Sequence, residues 1–132
     1  MPSQLQPPYL NTPLTQIISL DSGLPAVVVN GLAAGQTGVA LSQIFTVSER
    51  PGGGDRNLSL QAQGAGVTGC TVDIEVSADG GTTWNKKHVG VALITASVST
   101  LAVEANMQAG LQYRINPTSV AGAAVTIIAT AN

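Results

Sequence analysis

The sequence predicts an all-β protein, specifically an antiparallel β-sandwich of jelly-roll topology with an extended N-terminal arm. Three observations predict it. From Leu14 onward apolar and polar residues alternate with period two, Gly, Asn and Asp interrupt the β-branched runs at short intervals, and no stretch joins helical spacing to helix caps. Side chains along a strand point alternately to opposite faces, so this period is what a sheet with one buried face requires.

Four of the seven prolines, Pro2, Pro7, Pro8 and Pro13, fall in the first thirteen residues. Each fixes φ and removes an amide donor, so 1–13 is expected to be an extended arm and 14–132 a single sandwich domain. Leu5, Tyr9 and Leu10 are interleaved with Pro7 and Pro8. These five residues are the candidate partner-binding set, because a polyproline-like arm can lay such side chains into a neighbour's groove.

Strands are expected at 14–19, 26–29, 39–47, 57–62, 71–77, 82–89, 91–98, 101–104, 112–116 and 123–130. In 71–77, Val72, Ile74 and Val76 share one face and Thr71, Asp73, Glu75 and Ser77 the other. One face is then core and the other wet, with Asp73 and Glu75 read as an ordinary solvated pair. Leu58 and Leu60 alternate with Asn57, Ser59 and Gln61 in the same way. In the last strand Val125 and Ile127 alternate with Thr126 and Ile128, so apolar groups lie on both faces, as in a central strand or one covered by another subunit.

Composition narrows the function. At 132 residues the chain fits one core and needs no disulfide or metal staple. Charged residues make up 9% of it, against roughly 25% in an ordinary soluble protein. A surface so poor in charge is a solubility liability for a lone monomer and suits a protein covered by other copies or by a larger assembly. The formal charge of -2 gives no basic field for nucleic acid, and Lys86, Lys87 and His88 are the only basic cluster. Residues 1–11 lack the charged and apolar regions of an export signal, and no apolar run approaches the ~18 residues of a membrane span. A product made in the cytoplasm, without membrane or nucleic-acid partners, is expected.

Residues able to do chemistry are sparse. Zinc needs three or four protein ligands, and the chain has one Cys and one His. Cys70 excludes an intrachain disulfide and reads as a small buried thiol. His88 would have to serve any Ser-His-Asp arrangement, and no nucleophile-elbow sequence accompanies it. Asp73 and Glu75 could hold a cation only with oxygen ligands from elsewhere. No catalytic, cofactor-binding or metal-binding residues are therefore assigned. Residues 51–55, rich in Gly and flanked by Glu49, Arg50 and Arg56, read as an exposed mobile loop. A phosphate loop is excluded there, since no Lys-Ser or Lys-Thr follows.

The sharpest local signature is Ser77, Ala78, Asp79, Gly80, Gly81, Thr82, Thr83, Trp84. Asp-Gly-Gly between two strands predicts a β-hairpin, with Asp79 accepting hydrogen bonds from loop amides and Trp84 covering the turn. Ser77, Asp79, Gly80, Gly81, Thr83 and Trp84 are its structural residues.

This segment resembles the Asp-box, Ser-x-Asp-x-Gly-x-Thr-Trp, of sialidases and many other β-proteins. In propeller glycosidases the box recurs once per blade, away from the active site, so a single copy implies a fold element and no activity. The whole layout, a Pro-rich arm before Ala-, Val-, Thr- and Gly-rich strands, resembles virion structural proteins of tailed phages, nearest in character to capsid decoration (cement) proteins. That resemblance implies a non-enzymatic subunit on the capsid surface, a homo-oligomer such as a trimer, and the major capsid protein as partner. The alternative is a receptor- or carbohydrate-binding module of a tail fibre or spike, using Trp84 and the loops near Asp55. Sugar platforms use aromatic stacking, and the chain has only Tyr9, Phe45, Trp84 and Tyr113, of which Phe45 and Tyr113 are expected in the core.

Overall fold

Alternation in the sequence becomes alternation in burial: Leu58, Leu60 and Ala62 are buried while Asn57, Gln61 and Gln63 are exposed. A computed structural model describes residues 17–21 and 24–132; the expected arm, its five partner-binding residues and positions 14–16 lie outside the described residues. The strands are β1 (Ile17–Leu20), β2 (Ala26–Leu32), β3 (Ile44–Val47), β4 (Arg56–Gln63), β5 (Gly69–Ser77), β6 (Asn85–Thr95), β7 (Val98–Ser99), β8 (Ala102–Met107), β9 (Gln112–Ala121) and β10 (Val125–Ala131). They form a six-stranded sheet, β1-β3-β9-β5-β6-β7, and a four-stranded sheet, β2-β10-β4-β8. Two layers enclose one core, the sandwich that the alternation predicts, and the strand order is compatible with a jelly-roll.

One pair departs from the antiparallel expectation. β1 lies parallel to β3, with Ile17 opposite Ile44 and Leu20 opposite Val47. Between them the chain leaves for the other sheet as β2, and a strand that returns after such a crossover runs in the same direction. The expected strand at 39–47 is shorter for a related reason. Ser42 forms only an isolated bridge to Val29 of β2, and its hydroxyl donates to the Ile115 carbonyl. The chain is thereby tied to both sheets before β3 begins.

The separate strands expected at 82–89 and 91–98 are largely one strand, β6. Six steps along β5, from Cys70 to Val76, are matched by nine along β6, from Ile94 to Asn85, through three register shifts. Extra residues on one strand bend it and increase its twist. At one of these bulges Gly90 takes a φ of +71° and donates its amide to Asp73 Oδ1 at 2.9 Å.

Among the described residues, aliphatic side chains fill the core around one aromatic pair. Phe45 and Tyr113 are both fully buried and lie opposite each other on β3 and β9, their ring centroids 5.9 Å apart. The Tyr113 hydroxyl accepts the Gln108 amide at 2.7 Å, and burial pushes its pKa up. Cys70 is buried as expected, and burial alone raises its thiol to about 11. The native chain is therefore expected to resist thiol reagents at neutral pH and to take up one label per chain once unfolded, measured by mass spectrometry; native labelling at the unfolded rate would contradict this placement.

Arg56 corrects the reading of the glycine-rich loop. It is 3% exposed, and donates through Nε to the Ser48 carbonyl at 2.5 Å and through Nη2 to Ser48 Oγ at 2.9 Å and the Glu49 carbonyl at 3.0 Å. The guanidinium fork closes the loop base by satisfying carbonyls that no strand pairs. The tip stays exposed, with Gly52, Gly53 and Gly54 all at positive φ.

Candidate interaction surfaces

The two outer faces of the sandwich differ in charge. On the six-stranded sheet, Arg114, Glu75 and Lys86 stand side by side on β9, β5 and β6, an alternating row of charges across three strands. Arg114 Nε donates to Glu75 Oε1 at 2.6 Å and Asn116 Nδ2 to Oε2 at 2.9 Å, while Lys86 Nζ meets Asp73 Oδ2 at 2.8 Å. Trp84 covers one end, with the Arg114 guanidinium carbon 4.3 Å from the ring centroid. Opposite charges on neighbouring strands attract, and the indole face adds a cation–π contact.

Asp73 and Glu75 are thus not the solvated pair expected from alternation. They are 2% and 6% exposed, because Lys86, Arg114, Asn116 and the β6 bulge close over them. Their oxygens are committed to donors of the protein itself. The Lys86 bond and then the Gly90 amide hold Asp73 below the usual carboxylate range, and Asp73 in turn raises Lys86.

The hairpin after β5 is a self-contained hydrogen-bonded unit. Ser77 Oγ donates to Asp79 Oδ1 at 2.8 Å and accepts the Gly81 amide at 2.9 Å, Asp79 Oδ1 accepts the Thr83 amide at 2.8 Å, and Trp84 Nε1 donates to the Gly81 carbonyl at 3.1 Å. Gly80 and Gly81 take φ of +75° and +92°, which the turn needs and other residues resist. One face of the Trp84 ring is occupied by Arg114 and its N–H by the turn.

This unit is expected to make folding sensitive to acid. The Thr83 amide, and then the Ser77 hydroxyl, hold the Asp79 carboxyl down to about 2, against 3.8 for the free group. A lowered carboxyl adds stability that is complete above its unfolded pKa and is lost as pH falls towards its folded value. The thermal midpoint is expected to stay level above about pH 5 and to fall between about pH 4 and 2, less steeply in Asp79→Asn. An equal fall in that variant would remove the hairpin from the account.

The outer face of the four-stranded sheet is uncharged. Register places Val27 of β2 beside Ile128 of β10 and Gln61 of β4, and Thr130 beside Ser59 and Val103 of β8. Val27 is 45% exposed and Val103 56%, and Thr126 and Gln63 extend the same face. The two charged residues in this sheet, Arg56 and Glu104, do not face outward. Arg56 is buried, and Glu104 pairs with Leu58 on the inner side and meets His88 of β6, Oε2 to Nδ1 at 3.3 Å, across the gap between the sheets.

Sequence reasoning placed the hairpin residues in one turn, and the structure brings all of them together there. It missed the outer charge row, the buried Arg56 and the neutral face, because each depends on which strands become neighbours. No family model matches the chain, and no curated protein or solved structure matches it.

Proposed function

We propose that this is a non-enzymatic structural subunit that works by protein–protein contact, in the manner of a decoration or cement protein of a tailed-phage capsid. One observation carries the reading: the four-stranded sheet turns outward a face of Val27, Ile128, Val103, Ser, Thr and Gln with no formal charge. Depletion of charge is one compositional mark of the centre of an interface. On the opposite face the acidic side chains are engaged by Lys86, Arg114, Asn116 and a backbone amide, bonds that stiffen the sheet. The first sixteen residues are likewise without charge. They give a subunit a second means of engaging its neighbours, so that many weak contacts on a repeating shell add up.

Co-sedimentation tests this reading. The full chain is expected to pellet with heads of the phage that encodes it, and a chain lacking residues 1–10 is expected to fold with an unchanged thermal midpoint but stay in the supernatant. Normal pelleting of the truncated chain would remove the arm from the account, and no pelleting of the full chain would overturn it.

A further inference from the structure

We propose that β8 is the strand through which two copies of this chain pair, β8 against β8 of the second copy in antiparallel register. The two four-stranded sheets then become one continuous sheet with an uncharged outer face. This goes beyond the capsid reading, because it concerns the protein alone in solution.

A free strand edge presents unpaired N–H and C=O groups and is a template for another strand unless it is short, bulged, charged or covered. The other edges of this sandwich carry such protection. β7 has two residues, and the length of β6 that it leaves unpaired carries the three register shifts together with Lys86 and Lys87. β2 is partly covered by the bridge from Val29 to Ser42 and by the Gln43 amide, which donates to the Val28 carbonyl at 2.8 Å. β1 has only four residues.

β8 is different. It has six residues without Pro, Lys or Arg, and among the described residues its outward edge has no backbone partner. Its irregularity sits at one end, where Asn106 takes a φ of +67° and the register against β4 shifts between Glu104 and Met107. Ala102, Val103 and Glu104 are regularly paired.

Charge favours a second copy as the occupant. A two-fold pairing sets each residue near its own equivalent, so a charged edge would repel itself. Glu104 is the only charged residue of β8, and it is turned between the sheets against His88. With the axis beside Val103, the two Val103 side chains meet on the outer face, next to the exposed Leu101 that precedes β8.

Light scattering on the purified full chain is expected to give twice the chain mass, and Val103→Lys to give the single-chain mass with an unchanged circular-dichroism spectrum and a thermal midpoint that no longer rises with protein concentration. Because Cys70 is buried, a surface cysteine is the reactive thiol. Val103→Cys is expected to form a disulfide-linked pair on mild oxidation and Val27→Cys, at the far side of the same face, to form none. A wild-type mass of one or three chains, a Val103→Lys protein of unchanged double mass, or equal cross-linking at both positions would overturn the pairing. Loss of pelleting with phage heads while the double mass persists would overturn only the capsid reading.

Discussion

Tyr113→Ala is expected to destabilise the fold by about 3–5 kcal/mol, the range for truncating a large buried ring. Tyr113 and Phe45 are the aromatic pair of a core otherwise built from aliphatic side chains, and both are fully buried. Small neighbours such as Val and Ala cannot reach into the space a lost ring leaves, so the cavity persists. The hydroxyl makes a separate contribution by accepting the Gln108 amide at 2.7 Å. Tyr113→Phe keeps the ring and loses that bond, and should cost about 1 kcal/mol. Urea denaturation of the two variants separates the effects; a Tyr113→Ala loss no greater than that of Tyr113→Phe would show that the core closes around the missing ring.

Gly122→Ala is expected to cost about 2–4 kcal/mol, more than most surface substitutions, although it adds one methyl group to an exposed turn. Gly122 has a φ of +94°, a region that L side chains resist, and a Cβ placed there would meet the Gly66 carbonyl oxygen as well as the Thr68 amide nitrogen at 2.8 Å. Neither neighbour is a flexible side chain. The Thr68 amide donates to the Ala121 carbonyl at 2.9 Å, so the turn before β5 and the turn after β9 are joined back to back. Making room for a methyl group would break that junction at the end of the β5–β9 ladder. Gly90→Ala is the comparison, because Gly90 has a φ of +71° and nothing within 4 Å of its would-be Cβ. Equal losses at the two positions, measured by urea denaturation, would reduce the Gly122 effect to backbone strain alone.

Local pattern carried most of the strand content. Leu58, Leu60, Val72 and Ile74 lie on the core side because alternation is a property of one strand and needs no knowledge of its neighbours. The hairpin from Ser77 to Trp84 was legible for a similar reason, since turn chemistry is written in consecutive residues. What alternation could not reveal was the fate of the other face. Asp73 and Glu75 were expected in water and are buried: Arg114 and Asn116, some forty positions away, arrive beside Glu75 on β9, and Lys86 and the Gly90 amide of β6 close over Asp73. Arg56 looked like loop charge from its neighbours, yet it is the first residue of β4 and turns inward to the Ser48 and Glu49 carbonyls.

The same limit governs the candidate surface. Val27, Ile128 and Val103 are distant in sequence, and each looks like an ordinary strand residue. Only the order β2-β10-β4-β8 sets them on one face and sends Glu104 away from it. Low overall charge was visible from composition, but not that the four-stranded sheet would show no charge on its outer side. The β6 bulges were equally hidden, although they set the pairing of Asp73 with the Gly90 amide.

If the proposed capsid role is right, purified, salt-washed phage particles produced by the same genome contain the chain, which mass spectrometry can count and electron microscopy can locate. Many copies in a regular array on the head are expected, with Val27, Ile128 and Val103 turned against neighbouring protein and the Asp73–Lys86 and Glu75–Arg114 row facing water. Absence from washed particles, or an array held through the charged row with the four-stranded sheet exposed to solvent, would contradict it.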